Sequence, residues 1–237
     1  MSWFNTKFVR RIGGFTRDAS PAPTIQADPP ATRVLFSLLG YGRTIETKMP
    51  VAADGSPIPW YTYPAIEYFN QWNVRGLRIF EFGSGNSSLF WAHKGARVWS
   101  VERDPKWYEI MKSRSAHLEG LFLRQTAAEY AAAIESVGGQ FDLIIIDGAW
   151  RNECAAAALP HLGAGGVVVL DNSDWYTDVA GFVRSKGFFQ VDFNGFGPIN
   201  EYCWTTSILL PFRSPIGDLI GQPRPIGGIA VSKGDEW

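Results

Sequence analysis

Between residues 64 and 211 five short runs of almost wholly apolar residues, "LRIFEF", "RVWSV", "LFLRQ", "FDLIIID" and "GGVVVLD", alternate with stretches of helical length. A strand with one face in water alternates apolar and polar residues, so strands apolar throughout belong to a sheet buried on both faces. Helices between successive strands supply that cover, which predicts an α/β fold with a mostly parallel sheet. The intervening segments carry helix signals of their own. "AIEYFNQW" follows Pro64, a residue suited to a first helical turn, and "SSLFWAHKG" closes at Gly95. "DPKWYEIMKSR" offers Asp104 as a cap and Pro105 as first residue, and "TAAEYAAAI" holds Thr126 and Glu129 at capping-box spacing. "RNECAAAALPHL" and "DWYTDVAGFVRSKG" complete the helices. The last two strands, "FFQVDF" and "CWTTSILL", are joined by a turn rich in Gly, Pro and Asn, so they form an antiparallel hairpin at one edge of a seven-stranded sheet.

A chain of 237 residues that is 46% hydrophobic buries one sizeable core. The expected division is an extension over residues 1–59, one domain over 60–212 and a tail over 213–237. In "MSWFNTKFVRRIGGF", Phe4, Phe8, Ile12 and Phe15 share helical spacing while Lys7, Arg10 and Arg11 fall mostly off that line. Such a helix docks on its own domain or on a second subunit of a homo-oligomer; contact of residues 3–15 with a membrane surface fits the same pattern. "DASPAPTIQADPPAT" then reads as an extended proline-rich linker. A net charge of −1 gives no basic surface for nucleic acid. Cys154, Cys203, His93, His117 and His161 lie far apart, without zinc-ligand spacing or a disulfide framework. No apolar run has the length of a bilayer crossing and the start lacks a secretory core, so the chain reads as soluble and cytoplasmic.

The chemistry gathers at strand ends. In an open α/β sheet the ligand crevice lies beyond the carboxyl ends of the strands. There "EFGSGNSS" offers Gly83 and Gly85 for a sharp turn and close approach, with Ser84 between them. Asn86, Ser87 and Ser88 then open a helix whose free N–H groups suit a carboxylate or phosphate. "VWSVERD" ends in Glu102, about 20 residues beyond the glycines, where an acid accepts from two ribose hydroxyls. Together they point to a ligand containing adenosine. Glu81, two residues before Gly83, sets a negative charge under the turn; it repels a pyrophosphate and welcomes an amino group.

"EFGSGNSS", "VERD", "FDLIIIDG" and "GGVVVLDN", in this order and spacing, resemble the successive motifs of class I S-adenosylmethionine-dependent methyltransferases over roughly residues 60–210. The resemblance implies a Rossmann-like sheet with a closing antiparallel hairpin and S-adenosylmethionine as cofactor. Gly83 and Gly85 would hold its methionine and ribose, Glu81 orient the amino end and Glu102 bind the ribose. Thr126 and Ala127 lie where family members contact adenine, although Thr126 is already explained as a helix cap.

Asp147 in "IIIDGAW" and Asp171 with Asn172 in "VVVLDNSDW" end neighbouring strands, and their oxygens are hard ligands for Mg²⁺ or Ca²⁺. This is similar to the catechol O-methyltransferase type, which implies a metal ion on Asp147, Asp171 and Asn172, with Asp147 also near the cofactor. The catalytic lysine of that type has no counterpart: its position is Trp150, followed by Arg151, a poor base. Either Asp147 or a metal-bound group takes the proton, or the likeness is one of general fold. As the turn "DG" and a helix cap at Asn172 also account for these residues, both readings stay open. Trp60, Tyr61 and Tyr63, with Trp150, Trp175 and Tyr176, are the aromatic candidates for a wall around the acceptor. Arg151 and, in the loop "NGFGPINEYCW", Asn200 and Glu201 are polar contacts, and Trp204 follows them. The expected activity is methyl transfer to a small-molecule or glycan hydroxyl. The alternatives are an NAD-dependent oxidoreductase and a methyltransferase-like protein that binds without chemistry.

Overall fold

A computed structural model describes residues 30–214, Ile220 and Ile226. The expected amphipathic helix of residues 3–15 lies outside the described residues. Seven strands, β1 (Arg78–Phe82), β2 (Arg97–Glu102), β3 (Gly120–Leu123), β4 (Phe141–Ile146), β5 (Leu162–Asp171), β6 (Phe188–Gly195) and β7 (Trp204–Pro211), form one sheet in the order β3-β2-β1-β4-β5-β7-β6. The first five are parallel, and β7 runs antiparallel to both β5 and β6. This is the Rossmann-like sheet with a closing hairpin. The chain moves outward from β1 through β2 to β3, then crosses back to β4 on the other side, so the crevice opens beyond β1 and β4.

The helices are α1 (Pro30–Arg33), which runs on as a wider π-type turn over Val34–Leu38, then α2 (Tyr41–Thr47), α3 (Tyr63–Asn70), α4 (Asn86–His93), α5 (Pro105–Arg114), α6 (Ala127–Ala131), α7 (Arg151–Ala158) and α8 (Thr177–Ser185). Caps fix their starts. Asp104 accepts from the N–H groups of Lys106 and Trp107, and the Thr126 hydroxyl accepts from Glu129 N–H. None of the helices among the described residues is long and apolar enough to cross a membrane.

Alternate residues of each central strand feed opposite apolar layers, which is why these strands carry no polar face. Ile79, Val98, Leu143, Ile145 and Val169 pack with Phe69, Trp72 and Trp91 on the α3–α4 side. Phe80, Phe82, Val101, Ile144 and Val168 pack with Tyr130, Ala155, Val179 and Val183 on the α6–α8 side. The first layer takes in Tyr61 and Tyr63, which the sequence placed at the mouth: both are core residues. The cause is long-range pairing. Thr62 between them donates its N–H to Thr206 Oγ1 and its hydroxyl to Phe193 O, so the segment is clamped under the β6–β7 hairpin. Ahead of it, Leu35, Leu39, Tyr41 and Ala52 lean on the same layer, which carries residues 48–50 across to the glycine turn.

Candidate functional site

A cavity of about 940 Å³ opens at the carboxyl ends of β1, β2, β4 and β5. The turn after β1 forms its floor. Gly83 takes φ +104°, and its N–H donates to Val101 O at 3.0 Å. A Cβ there would stand 2.9 Å from the Cα and N of Gly148, so what Gly83 makes room for is the backbone after β4. Gly83 also lines the cavity, so close packing on Gly148 is a second reason for a glycine here. Gly148 is as tightly held, since its Cβ would meet Tyr130 Oη at 2.1 Å. Gly85 differs: it is extended, and its Cβ would meet only Ser87 Oγ, at 3.8 Å. Gly85 is therefore the glycine that leaves open space, and Asn86 and Ser87 at the start of α4 line the cavity beside it.

Glu81 lies beneath this turn, fully buried, and is not itself a lining residue. Ser88 Oγ donates to one of its oxygens, and Ser88 in turn accepts from Gly85 N–H at 3.2 Å and Ser100 Oγ at 3.0 Å. The other oxygen, Oε1, has no partner. Burial pushes the carboxyl up from 4.5 to about 7 against the pull of the Ser87, Ser88 and Ser100 hydroxyls. Glu102, at the end of β2, does line the cavity. Its Oε1 accepts from the N–H groups of Arg103 and Asp104 at 2.7 and 2.8 Å, and its Oε2 from Ser84 N–H and Oγ at 3.3 and 3.1 Å. Trp107 Nε1 donates to Ser84 O at 2.7 Å, so Ser84 is gripped from β2 and α5 together.

Opposite, the β4 and β5 ends converge on Arg151, which is only 7% exposed. Its Nε donates to Gly148 O at 3.0 Å, its Nη1 to Asp171 O, and its Nη2 to Asp147 O at 3.0 Å, Asp147 Oδ1 at 3.2 Å and Asn172 Oδ1 at 2.9 Å. Asp171 Oδ1 is taken by Trp204 Nε1 at 3.0 Å and Thr206 Oγ1 at 2.5 Å. Burial raises the Asp171 carboxyl well above the carboxylate range, and neighbouring Asp147 adds to it. Burial raises Asp147 too, opposed by the Arg151 guanidinium.

The expected metal set does not fit. Asp147 and Asn172 give their oxygens to a guanidinium and Asp171 gives one to Trp204 and Thr206. Among the described residues no three His, Cys, Asp or Glu side chains gather as a metal set. Mg²⁺ is therefore withdrawn as a cofactor. Arg151, expected to touch the acceptor, lines the cavity but has its fork committed to backbone and side-chain oxygens, and the ring of Tyr176 covers it at 4.4 Å instead of lining the cavity. Trp150 is turned away as well, packed on Tyr130 with Arg103 over its ring. Thr126 and Ala127 do not reach the cavity, because Thr126 is engaged in capping α6. Ser88 lies beneath the floor with Glu81.

Of the remaining candidates, the structure brings Gly83, Ser84, Gly85, Asn86, Ser87, Glu102, Asp147, Asp171, Asn172, Trp175 and Asn200 around one space, joined by Trp60 and Trp204. Sequence reasoning missed Lys48, Met49 and Pro50, which arrive from the N-terminal extension; Asn86 Nδ2 donates to Pro50 O at 2.5 Å. Trp107, Tyr130, Gly148 and Tyr202 were also missed. Only Trp107 and Gly148 had a usable signal, one helical turn after the Glu102 acid and directly after Asp147.

No protein-family profile and no curated protein matches the sequence. Among solved structures, the chain is similar to a precorrin-6y C5,15-methyltransferase from Geobacter metallireducens, at 16% identity over 62% of this chain and 86% of that one, with TM-score 0.47. A methyltransferase-like protein from Silicibacter pomeroyi is similar at 19% identity, covering 69% and 94% of the two chains, with TM-score 0.46. An rRNA methylase from Streptococcus thermophilus is similar at 14% identity over 63% and 97%, with TM-score 0.47.

Proposed function

We propose that the chain is an S-adenosylmethionine-dependent methyltransferase that acts on a hydroxyl of a small molecule or glycan. The observation that carries the reading is the pair of acids set about the glycine turn: Glu81 buried beneath it with one oxygen unpartnered, and Glu102 on the cavity wall. A ligand with an amino acid at one end and a nucleoside at the other brings an ammonium over Glu81 and hydroxyls to Glu102, whereas a pyrophosphate brings negative charge to both. Glu81 favours an ammonium, the first turn of α4 favours a carboxylate, and Glu102 accepts from ribose hydroxyls once Ser84 Oγ rotates off Oε2.

When bound, the cofactor supplies an electrophilic methyl group on a sulfonium. The chain's own residues supply position, proton transfer and exclusion of water. Asp147 stands on the cavity wall with Oδ1 held by Arg151, placed to take the proton that an acceptor hydroxyl gives up as its oxygen bonds to carbon. Trp60, Trp175 and Tyr202, which are 40%, 47% and 44% exposed, rim the mouth with flat faces for a ring-shaped acceptor. Tyr202 also bridges Trp175 and Trp204, with ring centroids 5.9 and 6.0 Å apart, so part of the rim is one aromatic wall.

The test is the melting temperature with S-adenosylmethionine and, in parallel, with NAD. At about 100 times its dissociation constant a ligand adds roughly 2.7 kcal/mol, a rise of about 5 to 10 °C for a chain of this size. The rise is expected with S-adenosylmethionine alone; a rise with NAD alone overturns the reading.

A further inference from the structure

We infer that the Arg151 guanidinium is a resident cation that stands among the strand-end oxygens in place of a divalent ion, so that this site works without a metal. Asp147 and Asn172 come from turns after two different strands, and a single donor group reaches an oxygen of each. Arg151 is that centre: Nη2 alone reaches both side chains, while Nε and Nη1 hold the carbonyls of Gly148 and Asp171. The backbone around it is shaped for this contact. Trp150, directly before Arg151, has φ +49°, a left-handed conformation that a bulky residue keeps only when its surroundings over-determine it, and Asn172 has φ +52°, a region open to Asn.

Two properties separate the guanidinium from a metal ion. It cannot be removed by a chelator, and its planar fork fixes direction at each oxygen. It also sits at the start of α7, so the charge is delivered by the helix that leaves the β4 turn. Asp147 Oδ1 and Asn172 Oδ1 are committed to it and Asp171 Oδ1 to Trp204 and Thr206, and a divalent ion brought to the same place would meet a like charge. The inference rests on the methyl-transfer reading for its chemical meaning, but metal binding is measured apart from turnover, so the two can fail separately.

The test uses the full chain. In paramagnetic resonance titrations of Mn²⁺, the parent protein should leave the free-ion signal undiminished, and dialysis against a chelator should change neither its melting temperature nor its affinity for S-adenosylmethionine. Mn²⁺ binding by the parent that Asp147→Asn abolishes would overturn the inference. Arg151→Ala should lower the melting temperature by about 10 °C, since removing one partner of a buried ion pair leaves the other uncompensated. Millimolar methylguanidinium should restore part of that loss, and part of the lost affinity, in Arg151→Ala but not in the parent. Arg151→Lys keeps a charge without the fork and should fall between the two. A folded Arg151→Ala protein that methylguanidinium leaves unchanged would show that a cation is not what these oxygens require. Should the variant not fold, the Mn²⁺ titration of the parent still decides.

Discussion

Replacing Glu81 with glutamine separates the stability of this fold from its use. The rise of the Glu81 carboxyl from 4.5 to about 7, at about 1.4 kcal/mol for each pKa unit, means that ionising it inside the fold costs about 3 kcal/mol. Below 4.5 the group is protonated in folded and unfolded chains alike, and the cost is absent. As the pH climbs from there to about 7, the unfolded chain loses the proton first, so stability falls, and the whole cost is present above 7. Glutamine keeps a polar group beside Ser88 and does not titrate. The expected result is that Glu81→Gln gains about 3 kcal/mol over the parent between roughly pH 4.5 and pH 8, measured by urea unfolding of both proteins across that range. Asp147 and Asp171 are raised by burial in both proteins, and because the Glu81 charge also raises Asp147, the difference between the two curves reports Glu81 together with its coupling to Asp147. Affinity for S-adenosylmethionine should move the other way. Loss of a charged hydrogen-bond partner weakens it by about ten- to a hundredfold near pH 8, while the parent's own affinity drops below pH 7 as Glu81 takes up its proton. A gap between the two proteins that stays constant with pH would refute the reasoning about burial. A variant that is more stable and binds as well as the parent would refute the role.

Gly148→Ala brings a carbon to 2.1 Å from Tyr130 Oη and 2.9 Å from Gly83 N, so it should cost about 1 to 3 kcal/mol; adding Tyr130→Phe should return part of that, and an unchanged melting temperature in the single variant would contradict the packing of the two turns. Trp107→Phe removes the donor to Ser84 O and should weaken S-adenosylmethionine binding by about fivefold, a net loss of about 1 kcal/mol, read by calorimetry. Trp175→Ala, at a half-exposed rim position, should raise the KM for the acceptor and leave cofactor affinity unchanged, whereas an equal loss in both would place Trp175 against the cofactor.

What the chain displayed openly were features set by near neighbours. Asp104 and Thr126 announced their helices because a cap needs only the next three residues, and the apolar strands announced a doubly covered sheet because each strand meets both layers. What stayed hidden was set across the sheet. In "PWYTYP" nothing local says that Trp60 faces the cavity while Tyr61 and Tyr63 face the core; that is decided by Thr62 bonding to residues 131 and 144 positions away. Gly83 was legible as a required glycine, yet one reason for it is Gly148, on the turn after another strand. The two aspartates after β4 and β5 were placed on the same crevice, but the sequence suggested a metal between them. The direction of Arg151 depends on the left-handed turn at Trp150 and on the β4–β5 register, neither of which a linear pattern carries.

The charge balance of the cavity then bears on its ligand more strongly than any single motif. Glu81 and Asp171 are buried and Asp147 is partly buried, all three raised with desolvation the first cause, and Glu102 adds a fourth carboxylate on the wall. Arg151 is set against them with its donors committed to the β4 and β5 turns, and Lys48 and Arg103 also line the cavity. Carboxylates held this way are relieved by incoming positive charge, since a unit charge about 4 Å away interacts by roughly 4 kcal/mol at the effective dielectric near a protein surface. S-adenosylmethionine carries an ammonium and a sulfonium into such a space; a dinucleotide carries phosphates into it and makes each acid harder to ionise. On the proposed reading, the residues that make the fold less stable above neutral pH also favour a cationic ligand, so the Glu81 substitution should raise stability and lower affinity together.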